Sequence, residues 1–270
     1  MYLADYHTHS RISPDAGSSM EEMARAAIAA GLQEICFTDH IEIIDWNTGK
    51  LRTKPFDWAA LQQEFRTAQA ALGDRIQLRL GLELGEAPWN FAETEKMMAP
   101  APELDFLVGS VHSLSADYQW QDLYFAASDD PAECRRQIAD YLGLVLKLAQ
   151  WGQFSVLGHL TLPLRYMNEN RGLSMSFDGF ESEVAEIFRT LIANGCGIEL
   201  NTNRGHDPLP GPKWLRLYRQ LGGEIITLGS DAHRPEHVGC VIRQRQALLK
   251  ECGFTHFCTF EKQKPIFHTL

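Results

Sequence analysis

Apolar residues along the chain fall in short runs bounded by polar turns, and these runs alternate with longer stretches of helical period. The runs at 2–7, 34–40, 76–84, 104–112, 154–160, 197–203 and 224–233 read as strands. Between them, 18–31, 56–73, 131–152, 177–195, 211–223 and 235–253 read as amphipathic helices, several closed by glycine. The first of these carries serines at its start, acids in its first turn and Gly31 as its stop. The stretch 85–103 gives only a short helix before its prolines. Strand and helix alternating about seven times predict a parallel sheet with helices outside. At 270 residues that sheet is expected to close, or nearly close, into an α/β barrel. No Pro/Gly/Ser-rich linker divides the chain, so 1–270 reads as one domain.

Charge narrows the partners. The formal net charge of −10 sets aside nucleic acid, whose binders carry a basic stripe. The six cysteines contain no CxxC pair and read as reduced thiols of a cytoplasmic protein. No leader pattern precedes His7, and no apolar run reaches the ~20 residues that span a bilayer, so no membrane partner is expected. The sequence carries no signal of oligomeric state.

The candidate chemistry lies at strand ends. His7 and His9, one residue apart on the first strand, face the same side. His40, Glu83, His112, His159 and the pair Asp231 and His233 stand at or near the carboxyl ends of five further strands, and Asp15 lies in the loop after the first. Any one of these would ordinarily be a hydrogen-bonded polar residue or a helix cap. Six of the ten histidines obeying one positional rule point instead to a shared metal centre on the barrel rim where such folds place their sites. Nitrogen and oxygen donors without thiolate favour zinc, manganese or iron. Nine ligands exceed the three or four of one open catalytic ion, so two or three ions are implied, with Glu83 as the natural bridge.

The motifs HTH (7–9), TDH (38–40), LGLELG (80–85), GSVH (109–112), GH (158–159) and SDAH (230–233), in this order over essentially the whole chain, resemble the PHP (polymerase and histidinol-phosphatase) family of metal-dependent phosphoesterases. The resemblance implies a distorted (β/α)7 barrel, in keeping with the seven strands. It implies a first ion on His7, His9, Glu83 and Asp231, a second on Glu83, His112 and His159, and a third on Asp15, His40 and His233. The run LYRQLGGEIITLGSDAHRPEHVG and the ELNTN of strand six are most similar to histidinol-phosphatases of histidine biosynthesis. One departure stands out: Thr161 occupies the place, two residues after His159, where such phosphatases are expected to carry an Asp.

The activity so implied is hydrolysis of a small phosphate ester, foremost L-histidinol phosphate, by a hydroxide bridging two ions, with Asp231 and His233 passing a proton to the leaving group. Arg165 and Arg204, after strands five and six, and Arg11, beside HTH, are the expected phosphate clamp. Asn201, Thr202 and Asn203 suit hydrogen bonding to substrate or ligands, and Trp46, Trp89 and Trp120 are placed to roof a pocket. Three alternatives stand beside this reading. One is a family member acting on a nucleotide, sugar phosphate or phosphotyrosine. Another is an amidohydrolase, which would want eight strands and a bridging Lys that no strand end supplies. The last is a non-catalytic scaffold, which would have lost ligands.

Overall fold

In the computed structural model, which describes residues 1–126 and 128–270, all seven expected strands form. They are β1 (Ala4–Thr8), β2 (Glu34–Glu42), β3 (Gln77–Gly85), β4 (Phe106–Ser110), β5 (Val156–Leu157), β6 (Gly197–Asn201) and β7 (Ile226–Gly229). Neighbours in sequence are neighbours in the sheet, and every pair is parallel. The helices that cross between them are α1 (Met20–Ala29), α2 (Trp58–Leu72), α3 (Phe91–Met98), α4 (Leu123–Ala126), α5 (Pro131–Trp151), α6 (Leu162–Leu164), α7 (Glu181–Ala193), α8 (Pro212–Gln220) and α9 (Ile242–Glu251). Ser19 caps α1 in a reciprocal box with Glu22, and Asp130 caps α5 ahead of Pro131, so the helix starts follow local chemistry.

The sheet closes on itself just past the strand ends. Thr8 pairs with Ala232, the His9 N–H donates to the Ala232 carbonyl at 2.8 Å, and the Asp231 N–H donates to the His7 carbonyl at 2.8 Å. Asp5 reinforces the seam by accepting from the N–H and hydroxyl of Ser230 and from the Gly239 N–H. Distortion concentrates at β5, which keeps two ladder residues where 154–160 is expected as strand. Beyond Gly158 the backbone leaves the ladder, because the His159 N–H turns to the Glu199 carboxylate at 2.8 Å. β4 and β7 are likewise shorter than their apolar runs, so His112, His159, Asp231 and His233 sit on loop residues just past the strands, whereas β2 and β3 are at least as long as expected and hold His40 and Glu83 within them.

Two features depart from the expected elements. The helix expected over 235–253 is split: a single 3-10 turn at Pro235–His237 is followed by α9, because Gly239 and Val241 take φ of 70° and 50°. A hairpin of β8 (His256–Glu261) and β9 (Lys264–Thr269), absent from the sequence reading, follows α9. Its Phe260 packs on Tyr6 and Phe106, and its turn donates the Lys262 and Gln263 N–H groups to Asp105 at the start of β4, so it covers the amino-terminal end of the barrel. One hydrophobic cluster runs from Leu3 to Phe260. All six cysteines are free, five of them buried. Among the described residues no helix is long and apolar enough to cross a membrane.

Candidate metal centre

Parallel strands end together, so the loops after them converge on one rim. His7, in β1, and His9, one residue past its end, flank Thr8, and both are fully buried. Their approach to β7 demands a glycine: a Cβ on Gly229 would lie 2.2 Å from Glu199 Oε1 and 2.4 Å from His7 Cβ.

Glu83, near the end of β3, is the centre of the cluster, and its two oxygens face different partners. Oε2 lies 3.2 Å from His7 Nε2, 3.5 Å from His9 Nε2 and 3.0 Å from His40 Nδ1. Oε1 lies 3.2 Å from His112 Nε2 and 2.9 Å from His159 Nε2. Asp231 Oδ1 stands 3.8 Å from His7 Nε2 and 3.5 Å from His9 Nε2. To one side, Asp15 Oδ2 is 3.1 Å from His233 Nε2 and 3.7 Å from His40 Nε2. All nine sequence-expected ligands are therefore brought together.

Two atoms bound to one ion at about 2.1 Å with tetrahedral spread would be about 3.4 Å apart. The spacings above match that figure. Glu83 Oε1 is within hydrogen-bond reach of His112 and His159 Nε2, but the Oε2 side is not paired: His7 Nε2, His9 Nε2 and Glu83 Oε2 are buried and have no hydrogen-bond partner. Buried polar atoms are ordinarily paired, so a convergent set left without partners is what cation ligands look like before the cation is counted. Donor atoms of His7, Glu83 and His159, of His7, His9 and Asp231, and of His9, His40 and His233 each lie within 4.8 Å of one another. The residues fit divalent ions.

Outer partners set which nitrogen is available. His7 Nδ1 is 2.7 Å from Glu199 Oε1, and as the donor there it leaves Nε2 as a lone pair toward Glu83. The Ser13 hydroxyl donates to Asp39 at 2.7 Å, so its oxygen accepts from His9 Nδ1 at 3.1 Å, again freeing Nε2. Asp39 also accepts from the Ser10 N–H and hydroxyl, folding the HTHSRIS loop back over β2. His233 Nδ1 faces the Asp231 carbonyl at 3.0 Å, which turns Nε2 to Asp15.

The electrostatics follow this packing. Burial opposes the charge of Glu83, yet His7, His112 and His40 hold its carboxyl well below the ordinary range. Burial also opposes charge on His7, but Glu199, Glu83 and Asp231 push its pKa well above the usual imidazole value. Burial and the neighbouring His233 and His40 push His9 well below that value. Asp15, despite burial, is held at about 2 by His233 and His40.

A cavity of about 340 Å³ opens over these ligands, its other walls including Trp46, Asp122, Tyr124, Phe125, Arg165 and Tyr166. A larger groove of about 810 Å³ lies beside it but shares only His40 of the nine; its size carries no argument against the smaller cavity, which holds the chemistry. Arg165 is buried at the cavity wall and held in place on every side. Its Nε donates to Asn203 Oδ1 at 2.8 Å, its Nη1 to Asp231 Oδ2 at 2.9 Å and its Nη2 to Asn201 Oδ1 at 3.4 Å. The asparagines of the ELNTN run thus position this guanidinium. The other two expected arginines are not in the cavity wall. Arg11 is exposed, with its Nη2 on Glu64 Oε2 at 2.7 Å, because the loop after β1 turns it toward α2. Arg204 is exposed because left-handed turns at Asn203 and Arg204 bury the first side chain and leave the second outside. Trp89 and Trp120 also lie outside this cavity, and Thr161 lines a separate one behind Arg165.

Several acids escaped the sequence reading. Glu199 is the chief one; its signal is a charge in the middle of an otherwise apolar parallel strand. Glu42 lies 3.2 Å from His40 Nδ1 and 3.4 Å from His112 Nδ1, so these three form a further grouping of metal-type donors. Burial and the adjacent Glu42 push Glu86 up, and Glu86 accepts from the N–H groups of His112 and Ser113.

The model of the PHP domain matches residues 5–203 of this sequence. The chain belongs to the PHP family. The PHP barrel extends past that match to Asp231 and His233, and similarity to relatives extends with it. A histidinol-phosphatase of Lactococcus lactis is 30% identical over 268 residues, covering 98% of this chain and 96% of the relative. A probable histidinol-phosphatase of Deinococcus radiodurans is 29% identical over 88% of each chain. The crystal structure of the histidinol phosphate phosphatase from Lactococcus lactis, complexed with zinc, L-histidinol and phosphate, superposes with a TM-score of 0.82 at 27% identity, covering 98% of both chains. A putative histidinol phosphatase from Listeria monocytogenes shares the fold, with a TM-score of 0.72 at 18% identity over 87% of this chain and 97% of that one.

Proposed function

We propose that this PHP barrel is a metal-dependent phosphomonoesterase that hydrolyses L-histidinol phosphate to L-histidinol and phosphate, working in the cytoplasm as a step of histidine biosynthesis. The observation that carries the chemistry is the pair of Glu83 oxygens facing separate histidine sets, 3.2 Å from His7 on one side and 2.9 Å from His159 on the other. Full-length similarity to histidinol-phosphatases supports the substrate. We assign His7, His9, Glu83 and Asp231 to a first divalent ion, Glu83, His112 and His159 to a second, and Asp15, His40 and His233 to a third, with zinc, manganese or iron suited to the donors. When bound, such ions supply a water made nucleophilic at neutral pH and neutralise charge on the phosphoryl oxygens.

The chain's own groups do the rest. Arg165, fixed by Asn201, Asn203 and Asp231, presents a guanidinium edge to the phosphoryl group without reorganising, so its charge acts where charge develops in the transition state. As the bond from water oxygen to phosphorus forms, the bond from phosphorus to the ester oxygen breaks. The attacking water sheds a proton as its bond to phosphorus forms; Asp231 and His233, adjacent at the cavity wall, take it up and pass it to the leaving alkoxide. Arg204, turned out of the cavity, and Arg11, engaged with Glu64, contribute at most to the entrance.

The test is phosphate release from L-histidinol phosphate by zinc- or manganese-loaded protein, with a nucleotide, a sugar phosphate and phosphotyrosine run alongside. The expected kcat/KM is about 10⁴ M⁻¹s⁻¹ or more, within the ordinary enzyme range, and at least tenfold above the other esters. Stronger turnover of another ester moves the protein elsewhere in the family.

A further inference from the structure

The cavity over the metal centre has four carboxylates in its wall: Asp15, Glu83, Asp231 and Asp122. Histidines or Arg165 face the first three. Asp122 stands apart. Its Oδ1 accepts from the Tyr124 N–H at 2.7 Å, and among the described residues no Lys, Arg or His forms an ion pair with it. Its position is fixed. Asp122 pairs with Ser113, the Leu114 N–H donates to the Gln121 carbonyl at 2.9 Å, and the Leu123 N–H donates to the His112 carbonyl at 2.7 Å, so the residue is tied to the loop that carries a ligand.

Its surroundings are aromatic. Tyr124 and Phe125, which follow it, are 58% and 57% exposed at the cavity mouth, and Tyr166 stands edge-on to Tyr124. Trp46 lies edge-on to His40, and its Nε1–H is buried without a partner. Beside the cation ligands and the guanidinium, the same cavity therefore presents a carboxylate without an ion-pair partner, aromatic faces and an unpaired N–H donor. The complementary ligand is a phosphate ester that also carries an ammonium beside a flat ring with a hydrogen-bond acceptor.

We propose that Asp122 is a specificity-determining residue that binds the ammonium group of the leaving alcohol, with Tyr124, Phe125 and Trp46 enclosing its ring. The proposal rests on the substrate reading above, and its test separates the two. Steady-state kinetics are measured for metal-loaded wild type, Asp122→Asn and Asp122→Glu on L-histidinol phosphate and on the analogue that lacks only the amino group. A charge-assisted hydrogen bond of ordinary strength corresponds to about tenfold to a hundredfold. The ratio of kcat/KM for the amine over the des-amino ester is expected to fall by that factor in Asp122→Asn, through KM, and to recover in part in Asp122→Glu. A ratio within twofold of wild type, or an equal loss on both esters, overturns the proposal. If wild type does not turn over L-histidinol phosphate, the substrate reading fails by itself. The same ratio is then read on O-phosphoethanolamine over ethyl phosphate, where indifference to Asp122→Asn overturns the Asp122 assignment as well.

Discussion

Replacing Glu199 by Gln tests whether the centre is held by its outer shell. The side chain keeps its size, but the carboxylate that meets His7 Nδ1 at 2.7 Å loses its charge. An amide has one accepting oxygen, so it cannot serve both His7 Nδ1 and the His159 N–H, which Glu199 Oε2 accepts at 2.8 Å. Two routes give the magnitude. Loss of an outer-shell partner of a metal-binding histidine costs about 10–100-fold in metal affinity, or about 1.4–2.7 kcal/mol. A hydrogen bond to a charged group contributes about 1.5–3 kcal/mol. They agree on roughly 2 kcal/mol. The variant also has a signature in protons. Glu199 is the foremost of the charges that raise His7, so the ion-free wild type carries a proton there that metal must displace. Titration calorimetry with zinc in buffers of different ionisation enthalpy reads both quantities. Glu199→Gln is expected to bind at least tenfold more weakly and to release fewer protons per ion at pH 7. Affinity within twofold of wild type with unchanged proton release refutes the role given to Glu199.

Removing the bridge itself, by Glu83→Ala, is expected to abolish turnover and to lower bound metal by at least one ion per chain in elemental analysis; full activity in that variant sinks the bridging assignment. Asp5 gives a prediction in pH. Burial pushes its carboxyl from 3.8 up to about 6, so the folded protein holds this proton more tightly than the unfolded chain. The stabilisation is complete below pH 3.8 and is lost as pH rises through 6, a change of about 3 kcal/mol. In denaturant titrations from pH 4 to pH 7 on metal-loaded protein, the stability difference between wild type and Asp5→Asn is therefore expected to shift against the wild type by about that amount, and a constant difference contradicts it.

Most of the barrel is legible in the sequence because its signals are local. Period-two and period-3.6 patterns need only a few neighbouring residues, and Ser19 with Glu22 or Asp130 with Pro131 mark helix starts within one turn. The hairpin of β8 and β9 escaped because its turn, Lys262–Gln263, takes φ of 50° and 60° without the Asn or Gly that normally announces such a turn. Strand five was overextended for a different reason. Its apolar run continues past Leu157, but the carboxylate of Glu199 draws the His159 backbone out of the ladder.

The same division runs through the site. The candidate ligands are legible from the sequence alone, since a histidine or carboxylate at or just past the ends of several parallel strands must meet the others once the strands align. It did not determine what surrounds them. Glu199 reaches His7 across 192 positions, and Arg165 meets Asp231 across 66, because β6 and β7 bring them side by side and no local pattern encodes that register. It did not separate the three arginines either. Arg165 is turned inward by two asparagines, Arg11 is drawn outward by Glu64, and Arg204 is turned out by a left-handed loop. Composition and spacing name the groups able to do the chemistry, whereas burial and partner geometry, which arise only when distant segments pack, decide which of them face the reacting atoms.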